Sequence, residues 1–253
     1  MTPNSGSDIR DLLYSGSVFR RILKNLSRGV VLKRHLPRDF GGAPLFVSPD
    51  SALGYWRRDI SKVDPFLLSM VRELVRPKMS VWDIGANVGL FSFASAALGA
   101  EVVAVEADPW LADLIHRSAL LNRLPVTVLP AAASDHQGIT RLYPSEEGKA
   151  SNSLCGSGVA QTVIAVTLDS LLDHFAPPQV LKIDVEGIEY AVLNGARKVL
   201  QARPLIFCEV TNNYEAIGEL LREADYDFYA AREAKRQPLA RPSRDTLAIP
   251  RQS

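Results

Sequence analysis

The sequence predicts an α/β fold built on a mostly parallel sheet, and three observations support this. From Ser80 onward, short apolar runs alternate with segments of helical periodicity, which is the pattern of βα units. The apolar run at residues 81–84 leads through a glycine-containing turn at 85–89 into a helical stretch. Asp108 and Pro109 then form a helix start, because an Asp side chain accepts free backbone amides and proline is tolerated at the first helical position.

The predicted elements follow this alternation along the chain. Helices are expected at residues 88–98 and 108–121 and near 213–224. Strands are expected at the short apolar runs, which are residues 81–84, 102–105, 126–129, 163–166, 180–183, 205–210, 226–229 and 246–249.

The first 73 residues have a different pattern and are predicted to form a helical extension. Residues 8–36 place apolar side chains at mostly helical spacing with basic residues between them, which indicates an amphipathic arm. The arm is expected to pack on the domain or on a second subunit as a homodimer contact; a substrate lid and a membrane-surface helix are alternatives. Residues 41–54 indicate a linker or short hairpin, and a helix is expected near 61–75. The domain boundary is therefore placed between 1–73 and 74–253.

Composition excludes several classes of protein. The 253 residues carry 29 basic and 28 acidic side chains, so no overall field attracts nucleic acid or acidic lipid. Cys155 and Cys208 form no CxxC pair, which favours a reducing cytoplasm and argues against metal binding through sulfur. No apolar run approaches the roughly 18 residues that a membrane span needs. We therefore expect a cytoplasmic protein with no nucleic-acid partner and no integral membrane segment.

The turn after the first predicted strand is a candidate nucleoside-binding loop. Its backbone amides and the following helix N-terminus are expected to converge on a ligand above the strand edge. Gly85 and Gly89 permit tight turning, and Asn87 tolerates left-handed torsions. The GxGxxG motif of dinucleotide enzymes would require glycines at positions 87 and 90, but the chain has Asn87 and Leu90.

The spacing matches the DxGxxxG pattern of methyltransferases instead, running from Asp83 to Gly89. Asp83 is then expected to face the ammonium group of S-adenosylmethionine, directly or through water. The loop residues assigned to the cofactor site are Gly85, Ala86, Asn87 and Gly89. A purely structural turn between strand and helix is the alternative.

A second acidic residue supports a nucleoside ligand. Glu106 ends the run at 102–105, where a parallel sheet presents an acid to both ribose hydroxyls. Ala107 and Asp108 follow it and are assigned to the same cofactor site. The alternative for Glu106 is an ordinary exposed carboxylate at a strand end.

Several motifs resemble one known family. They are VWDIGANVGLFS, VVAVEADP, VTVLPAAASD, NSL, VTLDSLL, LKIDVEGIEYAVLNGA and IFCEV, in this order over roughly Leu74 to Val210. The most specific motif, KIDVEGxE at residues 182–189, resembles the hallmark of the FkbM methyltransferase family. The resemblance implies a Rossmann-like class I methyltransferase fold with a seven-stranded sheet, helices on both faces and an antiparallel final hairpin. It also implies S-adenosyl-L-methionine as methyl donor, S-adenosyl-L-homocysteine as product, and usually an oxygen acceptor.

Carboxylates cluster at the fourth predicted strand. Asp184, Glu186 and Glu189 surround its carboxyl end, the edge where open α/β sheets place ligands. Crowding and burial raise the proton affinity of carboxylates, so one of them can act as a base. Asp184 or Glu186 is expected to take the acceptor's proton, with Lys182 orienting them, and Asp184 is also assigned to the cofactor site. The alternatives are helix capping by Asp184 and Glu186, a structural pair of Lys182 with Glu189, and divalent metal binding; no metal is expected.

Other residues are weaker candidates for the cofactor. Ala133, Ser134 and Asp135 follow the third strand, where related enzymes contact the adenine edge. Their alternative is a turn at residues 135–138.

Five residues are candidates for binding the acceptor. Asn152 and Ser153, by resemblance, face the active centre, and Glu209 ends a strand near it. Tyr55 and Trp56 are candidates for an aromatic wall, with a core or interface role as the alternative.

The sequence thus predicts an S-adenosylmethionine-dependent O-methyltransferase. The expected acceptor is a hydroxyl on a small molecule, natural product or glycan. The alternatives are an NAD(P)-dependent oxidoreductase and a noncatalytic nucleoside-binding protein.

Overall fold

A computed structural model describes residues 26–143, 154 and 159–251 of the chain. Most of the predicted N-terminal arm, Cys155, and the candidate acceptor residues Asn152 and Ser153 lie outside the described residues.

Twelve strands occur in the described residues. They are β1 (Leu32–His35), β2 (Pro44–Val47), β3 (Ser80–Ile84), β4 (Glu101–Glu106), β5 (Val126–Pro130), β6 (Ala132–Ala133), β7 (Gly138–Leu142), β8 (Gln161–Val166), β9 (Val180–Ile183), β10 (Leu205–Glu209), β11 (Tyr226–Ala230) and β12 (Asp245–Pro250).

Helices follow most of these strands. The α-helices of the described region are Pro65–Leu74, Leu90–Ala97, Pro109–Asn122, Leu168–Leu171, Glu189–Asn194, Arg197–Gln201 and Tyr214–Glu223. Short 3-10 turns lie at Arg38–Phe40, Leu53–Trp56 and Ile60–Lys62. None of the helices in the described ranges combines the length and apolar character needed to cross a bilayer.

Seven of the described strands form the central sheet, in the order β11-β12-β10-β9-β3-β4-β5. Strands β10, β9, β3, β4 and β5 pair in parallel, and β12 runs antiparallel between β10 and β11. The prediction of a mostly parallel sheet with an antiparallel final hairpin is confirmed.

Alternating side chains bury both faces of the sheet. Val81 and Val102 point into one hydrophobic cluster, while Trp82 and Val103 point into a second. This alternation is the two-residue period of a strand, and helices cover each face because both faces are apolar. The predicted arrangement of helices on both faces is therefore confirmed.

The segment before the sheet corrects one prediction. Residues 32–35, included in the predicted helical arm, are strand β1, which pairs antiparallel with β2 inside the region predicted as a linker or hairpin. The hairpin docks on the helix Pro109–Asn122, where the amide of Phe46 donates to Ser118 Oγ at 2.8 Å. Strand pairing and this docking outweigh the local helical periodicity, since helix propensity is a weak preference that tertiary contacts override.

The hairpin shares its core with the rest of the fold. Leu45 and Val47 are buried in the same cluster as Leu111 and Ile115 of the docked helix. The boundary between residues 1–73 and 74–253 stays a prediction.

A second, three-stranded sheet has the order β6-β8-β7. The strand predicted at residues 163–166 is β8, which lies here and not in the central sheet. Strand β7 was not predicted, because only one of its five residues is buried and its sequence lacks an apolar alternation.

The predicted helix start at Asp108 provides a test of the fold. Asp108 Oδ1 accepts hydrogen bonds from the amides of Trp110 (2.9 Å) and Leu111 (3.3 Å). Asp108→Ala removes this cap and is expected to lower the free energy of unfolding by about 1 kcal/mol, measured by urea denaturation. The control is Asp113→Ala on the same helix, which loses only an exposed 3.6 Å pair with Arg117 and should cost at most about 0.5 kcal/mol. Equal losses in the two variants would show that the cap contributes nothing.

Candidate functional site

A cavity lies where the carboxyl ends of β3, β4, β9 and β10 meet. It encloses roughly 810 Å³ of space, including the solvent in its open mouth. Its wall is formed by Gly85, Asn87, Val105, Glu106, Ala107, Leu111, Ala131, Ala132, Ala133, Leu142, Leu154, Asp184, Val185, Glu186, Ile188 and Glu209.

The loop after β3 is held in left-handed torsions. Gly85, Asn87 and Gly89 have φ values of 75°, 55° and 81°. A Cβ on Gly85 would lie 1.8 Å from the carbonyl oxygen of Asp184. Glycine is therefore required at 85 by two separate constraints, the torsion and the close approach of the turn after β9.

The backbone amides of this loop correct an expectation. Those of Gly85 and Ala86 donate to the Val105 carbonyl at 2.9 and 3.1 Å, and that of Asn87 donates to Glu106 Oε2 at 2.7 Å. They are therefore bonded within the protein, because the tight turn brings them against the end of β4. The loop offers the cavity the side chain of Asn87 instead, whose buried Oδ1 has no hydrogen-bond partner among the described residues.

Glu106 is a buried carboxylate in the cavity wall. It accepts hydrogen bonds from the amides of Asn87 and Asp108, the latter at 2.8 Å. Burial raises the pKa of Glu106 to about 7 against the opposing effect of these two amides. A carboxylate has about four acceptor positions, so about two remain for hydroxyl groups of a ligand.

Asp83 lies behind the wall and not in it. Its fully buried carboxylate accepts a hydrogen bond from Ser92 Oγ at 2.6 Å and pairs with Lys182 Nζ at 3.0 Å. Because Asp83 is fully buried behind the wall, its expected contact with a ligand ammonium, directly or through water, stays a prediction.

Lys182 connects three groups. Its ammonium is also 3.1 Å from the Gly85 carbonyl oxygen and 3.4 Å from Asp184. Burial alone would lower the pKa of Lys182, but the carboxylates of Asp83 and Asp184 raise it above the ordinary value. The alternative pairing of Lys182 with Glu189 does not occur.

The turn after β9 carries Asp184 and Glu186 into the cavity wall. Glu186 has a φ of 41°, a torsion that only a few non-glycine residues adopt. Partial burial and the negative charges of Asp184, Glu209 and Glu189 raise the pKa of Glu186 to about 7, while Arg244 opposes them. The helix that follows begins after Ile188, which provides no side-chain cap, and the capping alternative for Asp184 and Glu186 stays open.

Glu189 is fully buried and outside the cavity wall. Its Oε1 accepts hydrogen bonds from the Gly187 amide and from Thr211 Oγ1, both at 2.9 Å. Glu189 therefore holds the turn that carries Glu186, and its buried position does not support the catalytic role expected from the sequence, which stays a prediction.

Glu209 lies in the wall at the tip of β10. Burial and the charge of Asp184 raise its pKa, against Arg244, which donates to it at 2.7 and 3.0 Å. The side chain of Arg244 is 73% exposed. The two residues are 35 positions apart, so no local pattern signals the pair.

The three candidates for the adenine edge lie in different places in the structure. Ala133 lies in the wall with Ala131 and Ala132, and Ala107 lies there too. Ser134 is buried. Asp135 lies outside the wall. The His136 ring nitrogen is 2.9 Å from the Asp135 carboxylate and lowers the pKa of Asp135.

Tyr55 and Trp56 are both outside the cavity wall. Tyr55 is buried in the first core cluster, and Trp56 donates its indole N–H to Ser27 Oγ at 3.0 Å. Tyr55 therefore packs into the core and Trp56 lies at the surface, and neither side chain forms the expected aromatic wall of this cavity.

Sequence reasoning missed the apolar part of the wall. These residues are Val105, Leu111, Ala131, Ala132, Leu142, Leu154, Val185 and Ile188. Only the Ala131–Ala133 run of small residues gave a signal, since the others have the composition of ordinary core. Across the described ranges, no group of three or more His, Cys, Asp or Glu side chains is arranged to hold a metal ion.

Comparisons with known proteins agree on one class. The family model for the methyltransferase FkbM domain matches residues 83–228, more than half of the chain. The hexuronic acid methyltransferase AglP of Haloferax volcanii is 25% identical over 175 residues, which cover 67% of this chain and 72% of that protein.

Solved structures are similar at a greater distance. The methyltransferase FkbM of Methylobacillus flagellatus KT has a TM-score of 0.46 and 16% identity, covering 79% of this chain and 57% of that one. A precorrin-6y C5,15-methyltransferase of Geobacter metallireducens GS-15 has a TM-score of 0.44 and 14% identity, covering 74% and 87%.

The close approach at Gly85 can be tested against a matched glycine. Gly41 has a similar φ of 69° but nothing within 4 Å of its would-be Cβ. Gly85→Ala should lower the melting temperature well beyond Gly41→Ala in a thermal unfolding scan, because only the former adds a clash to the torsional cost of roughly 1 kcal/mol. Equal shifts would show that the loop and the Asp184 turn separate at little cost.

Proposed function

The chain belongs to the FkbM methyltransferase domain family, and from this premise we propose that it transfers a methyl group from S-adenosylmethionine to a hydroxyl oxygen of a small molecule or glycan. The observation that carries the proposal is the presence in one cavity of Glu106, suited to a ribose, and Glu186, suited to removing a proton.

The order of the strands gives the cavity two ends. Small apolar residues 131–133 follow β5 at one end, and Asp184 and Glu209 lie at the tips of β9 and β10 at the other. The tips of β3 and β4, with Asn87 and Glu106, lie between them. An apolar slot, a central hydroxyl acceptor and an acidic end fit adenine, ribose and a cationic methionine chain in that order.

Two side chains of the cavity, Glu106 and Asn87, have hydrogen-bond acceptors that suit this cofactor. The remaining acceptor positions of Glu106 suit the two ribose hydroxyls, and the unpartnered Oδ1 of Asn87 needs a donor from a ligand. The bound cofactor supplies an electrophilic methyl group on a sulfonium.

We assign Glu186 as the base. Both Asp184 and Glu186 line the cavity, but Asp184 is bound to the Lys182 ammonium at 3.4 Å. Glu186 has a pKa of about 7, because burial and neighbouring carboxylates raise it. A base whose pKa lies near the working pH removes a proton most efficiently, which supports Glu186 over Asp184.

The charge of the acidic end bears on the acceptor. Asp184, Glu186 and Glu209 line the cavity together, whereas no lysine or arginine of the described residues does. Carboxylates accept hydrogen bonds from hydroxyl groups and repel acceptors that are themselves anionic. The similarity to a hexuronic acid methyltransferase supports a sugar-like acceptor, and the charge supports one of its hydroxyls as the methylated group.

Glu106 is tested by cofactor affinity. Glu106→Ala removes the proposed acceptor of two charge-assisted hydrogen bonds from the ribose hydroxyls. S-adenosylhomocysteine binding, measured by calorimetry, is expected to weaken at least about tenfold. Glu101→Ala, at the exposed start of the same strand, is the control and should leave the affinity unchanged. Unchanged affinity in Glu106→Ala contradicts the assignment of the ribose site.

Glu186 is tested by turnover. Glu186→Gln keeps the shape of the side chain but cannot take a proton, so kcat should fall roughly a hundred- to ten-thousandfold with a much smaller change in cofactor affinity. The measurement is transfer of labelled methyl to a panel of hydroxylated metabolites and glycans, with product masses. Glu215→Gln, an exposed carboxylate paired with Arg241, is the control, and turnover in Glu186→Gln equal to this control rules the role out.

A further inference from the structure

Resting on the proposed function, we infer that Glu186 exchanges its proton according to the charge of the bound cofactor. The carboxyl is ionised while the positively charged donor occupies the cavity and protonated while the neutral product remains. Donor binding therefore prepares the base for each turnover.

The placement of Glu186 is the first argument. Asp184 and Glu186 follow β9, and β9 lies between β10 and β3 in the sheet. A nucleoside seated at the apolar end, with its ribose at Glu106, would have this acidic end beyond its ribose. Glu186 would then be among the side chains that respond to a change in the charge of the ligand.

The groups around Glu186 are the second argument. Asp184, Glu209 and Glu189 repel its negative charge, and Arg244 attracts it. Arg244 is already bound to Glu209, and Lys182 is bound to Asp83 and Asp184. Among these charged side chains, three carboxylates oppose the ionised form of Glu186 and one guanidinium favours it, and a cation in the cavity would offset part of the repulsion.

The direction of the effect follows from electrostatics. Before any ligand binds, burial and these carboxylates raise the pKa of Glu186 to about 7, so the carboxyl is about half protonated at neutral pH. A nearby positive charge favours the ionised form and lowers the pKa, which expels the proton. A neutral thioether in the same place provides no such effect.

The chemistry of the transfer is consistent with this exchange. A bond forms between the acceptor oxygen and the methyl carbon, and the sulfur–methyl bond breaks with its electron pair staying on sulfur. The proton of the acceptor hydroxyl passes to the Glu186 carboxylate. The positive charge on sulfur and the negative charge on Glu186 disappear together, so the net charge of the site is unchanged.

A second carboxyl of the cavity titrates in the same range. The pKa of Glu106 is also raised to about 7, but Glu106 lies at the tip of β4, where we place the ribose. Both forms of the cofactor carry the same ribose, so its proton exchange should be common to the two and cancel in a comparison.

The experiment compares two nonreactive ligands by calorimetry at pH 7. Sinefungin carries an amine in place of the sulfonium, and S-adenosylhomocysteine carries a neutral sulfur. Titrations in buffers of different ionisation enthalpy give the number of protons released on binding. With wild-type protein, sinefungin should release roughly half a proton more than S-adenosylhomocysteine. The difference should vanish in Glu186→Gln and persist in the control Glu215→Gln, an exposed carboxylate outside the cavity wall.

Each outcome decides the matter. Equal proton release by the two ligands in wild type overturns the inference. A difference that survives in Glu186→Gln also overturns it, because the protons then come from the ligands' own amines or from another carboxyl. If neither ligand binds wild type, the proposed function fails instead.

Discussion

The site depends on one buried ion pair. Asp83 of β3 and Lys182 of β9 are register partners on adjacent parallel strands, and their charged groups are 3.0 Å apart with no exposure to solvent at Asp83. Removing Lys182 would leave the Asp83 carboxylate as an uncompensated buried charge, at a cost of about 3–5 kcal/mol. The same ammonium contacts the carbonyl of Gly85 and the carboxylate of Asp184. One cation thus links the loop after β3 to the turn after β9.

Two carboxyls of one cavity differ in their surroundings, which supports the different roles proposed for them. Glu106 is buried and fixed by two backbone amides, which suits a permanent hydrogen-bond acceptor. Glu186 is less buried and surrounded by like charges, which suits a group that gains and loses a proton. Each has a pKa of about 7. Burial is the largest cause of the raised pKa in both residues, and the two differ in the groups that surround them.

Local patterns predicted the main sheet well. The five parallel strands and the capped helix at Asp108 follow from apolar runs and cap chemistry that act within a few residues. Strand β1 was predicted as helix, because its stability comes from pairing with β2 and from docking on a helix some 70 residues later. Strand β7 was missed because its exposed residues show no alternation of burial.

The sequence by itself determined which strand tips carry acids, the positions of the glycines in the loop after β3, and the family that these motifs resemble. Only the tertiary structure decided where each acid lies and what it contacts. Asp83 is 99 residues from Lys182 and Glu189 is 22 from Thr211, so their withdrawal from the cavity is invisible to local pattern. Strand and cap signals act between near neighbours, whereas the charge and burial of a side chain depend on every element that packs around it.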